Sequence, residues 1–220
     1  MVMTTHAAAI AAHAEAPEAA IIDAVRAGDR GKFAVLVQRH NQALFRACRA
    51  VLGDDAEAED AVQAAWIAAY RALASFRGDA AFRTWATRIA VNEASARLRR
   101  RGRLQEVPLV EVTMTTDGGP EQAVHDGELG RFLEQRIDTL PEGMRTVLVL
   151  RDILELDTAE TAACLGIAEE AVRVRLHRAR RALADSVTEG MGEAMSQAWR
   201  FDGDRCARVL ERVMAAIEAP

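Results

Sequence analysis

The residues from Thr158 to Leu183, TAETAACLGIAEEAVRVRLHRARRAL, spell a short helix, a glycine-centred turn and a second helix rich in arginine. Asp157 stands where an N-cap belongs, and Glu160 follows three residues later, as a capping box requires. Leu165-Gly166-Ile167 forms the turn, because Gly166 is free to take the positive φ that ends a helix. In the second helix Val172, Leu176, Ala179 and Leu183 share one apolar face. Glu170, Arg173, Val174, His177, Arg178 and Arg181 occupy the opposite face, and Arg175 and Arg180 flank the apolar stripe. Between Ala171 and Arg181 there are five arginines and no acid. This is the layout of a helix-turn-helix whose second helix enters a major groove. Its guanidinium groups are suited to fork onto guanine edges or to grip phosphate oxygens.

Working outward, the composition agrees with a helical chain. Half of the 220 residues are apolar, yet only one Tyr, six Phe and three Trp are present. Alanine and leucine dominate, and β-branched runs are few, so an all-α fold is expected. The net charge of −5 speaks against nucleic-acid binding when taken alone. The charge is uneven, however. Acid gathers at Asp54 to Asp60 and at Glu106 to Glu134, and arginine at Arg97 to Arg103 and Arg173 to Arg181. A polyanion responds to the local sign of charge more than to the total. Cys48, Cys164 and Cys206 lie far apart in apolar helical patterns, which points to buried thiols in a reducing compartment. No stretch approaches the ~20 apolar residues that cross a bilayer.

Upstream, residues 1–17 are alanine-rich but lack a basic start, so they read as a disordered leader, with Met1 or Met3 as the start. A short helix from Glu18 to Ala27 closes at Gly28. Gly28-Asp29-Arg30-Gly31-Lys32 is too short for a phosphate loop, and Phe33 stands where a magnesium-binding hydroxyl belongs. The periodicity predicts helices over Lys32–Leu52, Ala56–Ser75 and Ala80–Arg101. Their apolar sides are Phe33, Leu36, Val37, Leu44, Cys48 and Val51; then Val62, Trp66, Ala69 and Leu73; then Phe82, Trp85, Ala86, Ile89 and Ala96. Phe76-Arg77-Gly78-Asp79 breaks the pattern as a loop. Arg88, Asn92, Ser95 and Arg99 form a second stripe on the third of these helices, a surface suited to nucleic acid. From Gly102 to about Gly130 the chain has no sustained period and reads as an acidic linker. A helix resumes over Arg131–Asp138. Another begins after Pro141, with Met144, Val147, Leu148, Leu150 and Ile153 as its core. Beyond Ser186, Cys206, Val209, Leu210, Val213 and Ile217 recur at helical spacing.

Two blocks, Leu52 to Arg101 and Leu140 to Leu183, resemble the small extracytoplasmic-function (ECF) sigma factors of the bacterial sigma-70 family. With Lys32 to Val51 included, the resemblance covers somewhat over half the chain. It implies an all-α, two-domain protein. Residues 18–103 would be a region 2-like bundle, 104–130 a flexible linker, 131–186 a region 4-like helix-turn-helix domain, and 187–220 a C-terminal helical extension. It implies a cytoplasmic transcription initiation factor that recognises −35 and −10 elements and helps open DNA, with no enzymatic reaction and no cofactor or metal.

The resemblance also implies roles for matched positions. Glu57, Asp60, Gln63 and Trp66 fall in the segment that docks on the coiled coil of the polymerase β′ clamp, and core RNA polymerase, through its β′ and β subunits, is the implied partner of the whole chain. Phe76, Arg77, Gly78 and Asp79 fall in the loop that captures a base flipped out of the −10 element. Arg88, Asn92, Ser95 and Arg99 fall where the family reads −10 DNA. Glu170, Arg173, Val174, Arg175, His177, Arg178 and Arg181 fall on the −35-reading helix. An anti-sigma factor is a frequent partner in this group, and nothing here calls for membrane insertion. Two departures stand out. Ala168 and Ala171 occupy positions where the family often has Ser or Thr, which removes an N-cap worth ~1 kcal/mol. Val174 replaces a commoner serine and suits a thymine methyl. The rival reading is a stand-alone helix-turn-helix regulator that binds a palindrome unaided. Under the main reading, acid and arginine clusters meet in the free protein, and promoter binding is weak without core polymerase.

Overall fold

The computed structural model describes residues 16–104 and 126–197, and among them there is no strand. The elements are α1 (Glu18–Arg26), α2 (Phe33–Leu52), α3 (Asp55–Ala72), α4 (Phe82–Leu104), α5 (Asp126–Asp138), α6 (Glu142–Leu148), α7 (Thr158–Leu165) and α8 (Glu169–Gln197). Tight 3₁₀ turns at Arg30–Lys32 and Leu73–Ser75 precede α2 and follow α3. The expected linker and the tail with Cys206 lie largely outside the described residues. Helix α5 starts before the expected Arg131, and α8 runs on past Ser186.

The boundaries follow local chemistry. Gly53 ends α2 in the left-handed region at φ 72°, which a side chain would disfavour. Asp54 then caps α3 by accepting from the Glu57 amide at 2.8 Å. Helices α2, α3 and α4 pack against one another as the first bundle, and α1 lies across α2. Leu36, Leu44, Cys48, Val51, Val62, Ala69, Leu73, Phe82 and Ala86 are buried as the apolar stripes predict. Phe33, Val37, Trp85, Ile89 and Ala96 are only half-buried.

One expected core position is wrong. Ile153 is exposed, and Leu154 and Leu156 are buried in its stead. The cause is a π-helical turn over Val149–Ile153, which widens the helix and rotates the following side chains off the 3.6-residue register.

The second domain is smaller. Leu140, Val147, Leu148, Ala162, Val172, Leu176 and Ala179 make its own core, with Leu183 at the edge. It is not separate from the first. Val149, Leu150, Leu154, Leu156 and Cys164 belong to the same apolar cluster as the first bundle. Helix α6 packs on α2, and α7 on α4. Polar contacts seal this seam. Arg49 of α2 grips Asp138 with two bonds of 3.0 and 2.8 Å and also pairs with Asp55. Arg145 Nε donates to the Ala50 carbonyl at 2.7 Å, and the Thr146 hydroxyl donates to the same carbonyl at 3.2 Å. Burial works against the Arg49 charge, but the hydrogen bonds to Asp55 and Asp138 outweigh it and raise its pKa above the ordinary arginine value. Burial lowers that of Arg145; Asp138 opposes the shift and Arg49 adds to it.

Candidate nucleic-acid interface

The turn between α7 and α8 is built as its residues dictate. Asp157 Oδ1 accepts from the Glu160 amide at 2.7 Å, and Glu160 Oε2 accepts from the Asp157 amide at 2.9 Å, which closes the capping box. Gly166 takes φ 64° and ends α7 in the left-handed region. Val172, Leu176 and Ala179 turn inward, so Arg173, Val174, Arg175, His177, Arg178 and Arg181 turn outward with Glu170. Val174, at 39% exposure, offers an apolar contact among cations. The face is not free of acid, however. Arg173 is held by Glu169 at 2.9 Å and Glu170 at 3.0 Å from the first turn of its own helix. The i−3 and i−4 spacing makes this pairing automatic, a consequence that counting acids only after Ala171 misses. Arg180 is also engaged, through two bonds of 2.9 and 2.7 Å to Asp152 of the π turn.

On the first domain, Arg88, Asn92 and Arg99 are exposed along α4, and Ser95 is half-buried beside them. The interhelical loop stands at the head of this stripe. Arg77, Gly78 and Asp79 are exposed, Gly78 at φ 79°, and Arg77 pairs with Asp79 at 2.7 Å. Phe76 is the exception. Its ring is half-buried edge-on to Phe82, with centroids 5.7 Å apart, and lies 5.1 Å from Trp85. It is the loop's anchor in this conformation. Beside the loop is a cleft of about 340 Å³ whose lining includes Phe76, Arg77, Asp79, Arg88 and, from α7, Glu160. The Thr84 hydroxyl donates to Glu160 Oε1 at 2.9 Å across the domain seam, so the second domain forms one wall of this cleft.

The acidic segment on α3 divides in two. Glu57, Asp60 and Gln63 are exposed. Trp66 is buried at 7% exposure, edge-on to Phe33 at 5.7 Å, and its indole N–H donates to Asn41 at 2.9 Å. The ring holds α2 to α3, and a surface partner reaches at most its rim. Arg97 of α4 leans onto the acids, 3.5 Å from Asp60 and 3.9 Å from Glu57. One arginine of the 97–103 cluster thus meets the 54–60 acidic cluster within the first domain. Both described cysteines are buried. Burial pushes the Cys48 thiol up to about 12 and the Cys164 thiol up to about 11, with Arg97 and Arg88 respectively opposing the shift.

Sequence reasoning missed Arg26, Asn41, Arg49, Asp138 and Arg145. All five act between elements distant in the chain, and no helical period marks them.

Against this geometry the comparisons with known proteins are consistent. The family model for Sigma-70 region 2 matches residues 36–104, and that for Sigma-70, region 4 matches residues 133–183, together more than half of the 220 residues. The RNA polymerase sigma-H factor of Pseudomonas aeruginosa is 34% identical over 186 residues, 79% of this chain and 95% of its own length. The ECF RNA polymerase sigma-E factor of Escherichia coli K12 is 35% identical over 177 residues, 76% of this chain and 92% of its own. Among solved structures, CnrH in complex with the cytosolic domain of CnrY aligns with a TM-score of 0.54 at 30% identity, over 77% of this chain and 96% of that one. RpoE in complex with the anti-sigma factor NepR from Bartonella quintana aligns at 0.55 and 21% identity, over 69% and 94%, a likeness of fold.

Proposed function

Because the chain belongs to the sigma-70 family, in its extracytoplasmic-function group, we propose a division of labour among the surfaces described above. The protein is a transcription initiation factor that binds core RNA polymerase and directs it to promoters. In our reading Arg173, Val174, Arg175, His177, Arg178 and Arg181 read the −35 element, with Glu170 at the entry of the helix. Arg88, Asn92, Ser95 and Arg99 contact the −10 element. The loop from Phe76 to Asp79 receives an unpaired −10 base in the adjoining cleft. Glu57, Asp60 and Gln63 dock on polymerase, with Trp66 shaping the platform beneath them. No step makes or breaks a covalent bond; contacts to opened DNA hold the strands apart. An anti-sigma factor is the expected inhibitory partner, and the cytoplasm is the expected compartment. Among the described residues no helix is long and apolar enough to cross a membrane.

The observation that carries this reading is the pair of outward arginine-bearing faces, on α4 and α8, in two domains that match regions 2 and 4 in the family's order. The packed state adds a constraint. A compact chain of this length has a radius of gyration of roughly 17 Å, hence a diameter of ~45 Å. Positions −35 and −10 are about 25 base pairs apart, ~85 Å at 3.4 Å per step. The domains must therefore part before one promoter can engage both. The 22 steps from Leu104 to Asp126 can reach ~75 Å when extended, which is enough once the domains' own widths are added. Polymerase, by holding the domains apart, would convert the second contact into an intramolecular one.

Run-off transcription on a genomic fragment library tests this. Addition of the protein to core enzyme should yield discrete start sites, and mobility shifts should show tight promoter binding only with core present. Tight binding to a palindromic duplex by the protein alone, with no transcript from any template, would refute it.

A further inference from the structure

Helix α1 lies ahead of residue 36, where the match to region 2 begins, yet its last residue reaches the 76–79 loop directly and its first residue connects to it through His40 and Phe82. Ile21, Ile22 and Val25 bury one side of it in the first bundle. Arg26, its last residue, is thereby aimed at the end of α3. Its Nε and Nη2 donate to the Leu73 carbonyl at 3.3 and 3.2 Å, and Nη2 also donates to the Phe76 carbonyl. Asp23 braces the guanidinium at 3.4 Å from one turn earlier. The two carbonyls bracket the 3₁₀ turn Leu73–Ser75, the last ordered turn before the loop. The Leu73 carbonyl also accepts from the Phe76 amide at 3.2 Å, and carbonyls at a helix end carry partial negative charge, so a planar cation that spans Leu73 and Phe76 reinforces that turn and fixes the exit direction of the chain.

The other end of α1 forms a second strut. Glu18 pairs with His40 at 2.5 Å, and the His40 ring lies 5.5 Å from that of Phe82, on which Phe76 packs. The loop is thus held from its backbone by Arg26 and from its one inward side chain by the aromatic cluster. Gly78 and its exposed neighbours are left to meet DNA.

We propose that Arg26 is a positioning residue for promoter opening: its bridge between the Leu73 and Phe76 carbonyls presets the 76–79 loop to receive the unpaired base, which makes α1 part of the −10 apparatus. The proposal rests on the reading of that loop as the base-capturing element.

The test uses holoenzyme on a promoter recovered by run-off selection, with 2-aminopurine placed through the single-stranded −10 segment of a fork template. Occupancy is normalised by binding to the −35 duplex alone. The variants are Arg26→Met, Arg26→Lys and, on the loop itself, Arg77→Ala with Asp79→Ala. Base capture and open-complex formation should fall about tenfold in Arg26→Met. In Arg26→Lys they should fall about threefold, because one ammonium on a shorter side chain can at best replace Nη2 and loses the Nε bond to the Leu73 carbonyl. Core and −35 affinities should be unchanged, and a template with a pre-opened −10 region should restore the opening rate but not base capture.

Loss in the loop variant with wild-type capture by Arg26→Lys overturns the positioning role and leaves the loop assignment standing, even if Arg26→Met fails to fold. Equal losses at the −35 duplex and at the fork also overturn it, since Arg26 would then serve general stability. Wild-type capture by the loop variant overturns the loop assignment and the inference with it.

Discussion

Replacing Asp138 by Asn should loosen the domain seam and raise the protein's own affinity for a two-part promoter. Arg49 grips this carboxylate through two bonds of 3.0 and 2.8 Å, with the two side chains 22% and 37% exposed. Exposed ion pairs contribute roughly 0.2–1 kcal/mol, while breaking a buried pair costs about 3–5 kcal/mol. A bidentate, partly covered pair falls between, and Asn keeps one acceptor, so ~1–2 kcal/mol is expected. The substitution spares the local helix: Asp138 ends α5, where a negative charge opposes the helix dipole. At ~1.4 kcal/mol per tenfold, the open fraction should rise about 5–30-fold while the closed state dominates. Apparent affinity for a fork template carrying both elements should improve by the same factor. The −35 duplex alone is the control. The α8 face is exposed in the packed state, so its binding should not depend on opening. Losing one negative charge would strengthen both templates alike, whereas opening strengthens only the fork. The measurement is fluorescence anisotropy at fixed ionic strength. Unchanged fork affinity, or equal gains on both templates, would falsify the claim that the packed domains limit promoter access.

Other outcomes follow from the same structure. Arg178→Ala with Arg181→Ala should flatten the salt dependence of −35 binding by about 1.8, at ~0.9 for each phosphate no longer neutralised; Arg173→Ala should flatten it less, because Glu169 and Glu170 already hold that guanidinium. Asp157→Ala removes the capping box of α7 and should cost roughly 1 kcal/mol by denaturant unfolding, while Ala168→Ser, which supplies a cap ahead of α8, should return a similar amount. The Cys48 and Cys164 thiols, raised by burial to about 12 and about 11, stay protonated in the folded chain after those of the unfolded chain ionise near 9. Their contribution is therefore complete below about pH 9 and is lost as pH rises toward 11 and 12, at about 1.4 kcal/mol per pH unit per thiol; Cys48→Ala should shallow that decline in urea titrations. At pH 8 neither thiol should react with iodoacetamide until the protein unfolds.

How far these residues could be read beforehand depends on the range of the interaction. Gly166, Asp157 and Glu160 announced the helix-turn-helix because caps and turns are local, and the Val172–Leu176–Ala179 stripe identified the inward face of α8 by period alone. Local rules failed where the helix itself departs from 3.6 residues per turn. The π turn at Val149–Ile153 moved burial from Ile153 to Leu154 and Leu156, and no residue type in VLRDI advertises it. They were also silent on the packing of the Phe76 ring against Phe82 and Trp85 of α4. Arg49–Asp138 and Arg26–Leu73 join residues 89 and 47 positions apart. A single sequence contains nothing to pair them.

The seam sets a bound on how the protein is switched on. Val149, Leu150, Leu154 and Leu156 are buried in a cluster shared with the first bundle. Full burial of such side chains stabilises by about 1.5–3 kcal/mol each, and part of that burial is internal to the second domain. Opening the seam therefore costs at most ~6–12 kcal/mol from these four. A nanomolar complex supplies about 12 kcal/mol, so docking on core enzyme is comparable in size to the cost of opening. The net affinity for core is what docking supplies less the cost of opening. Weakening the seam should tighten fork binding, and core binding as well to the extent that polymerase, as proposed, holds the domains apart. An agent that held the domains together would inhibit without touching a single DNA-reading arginine.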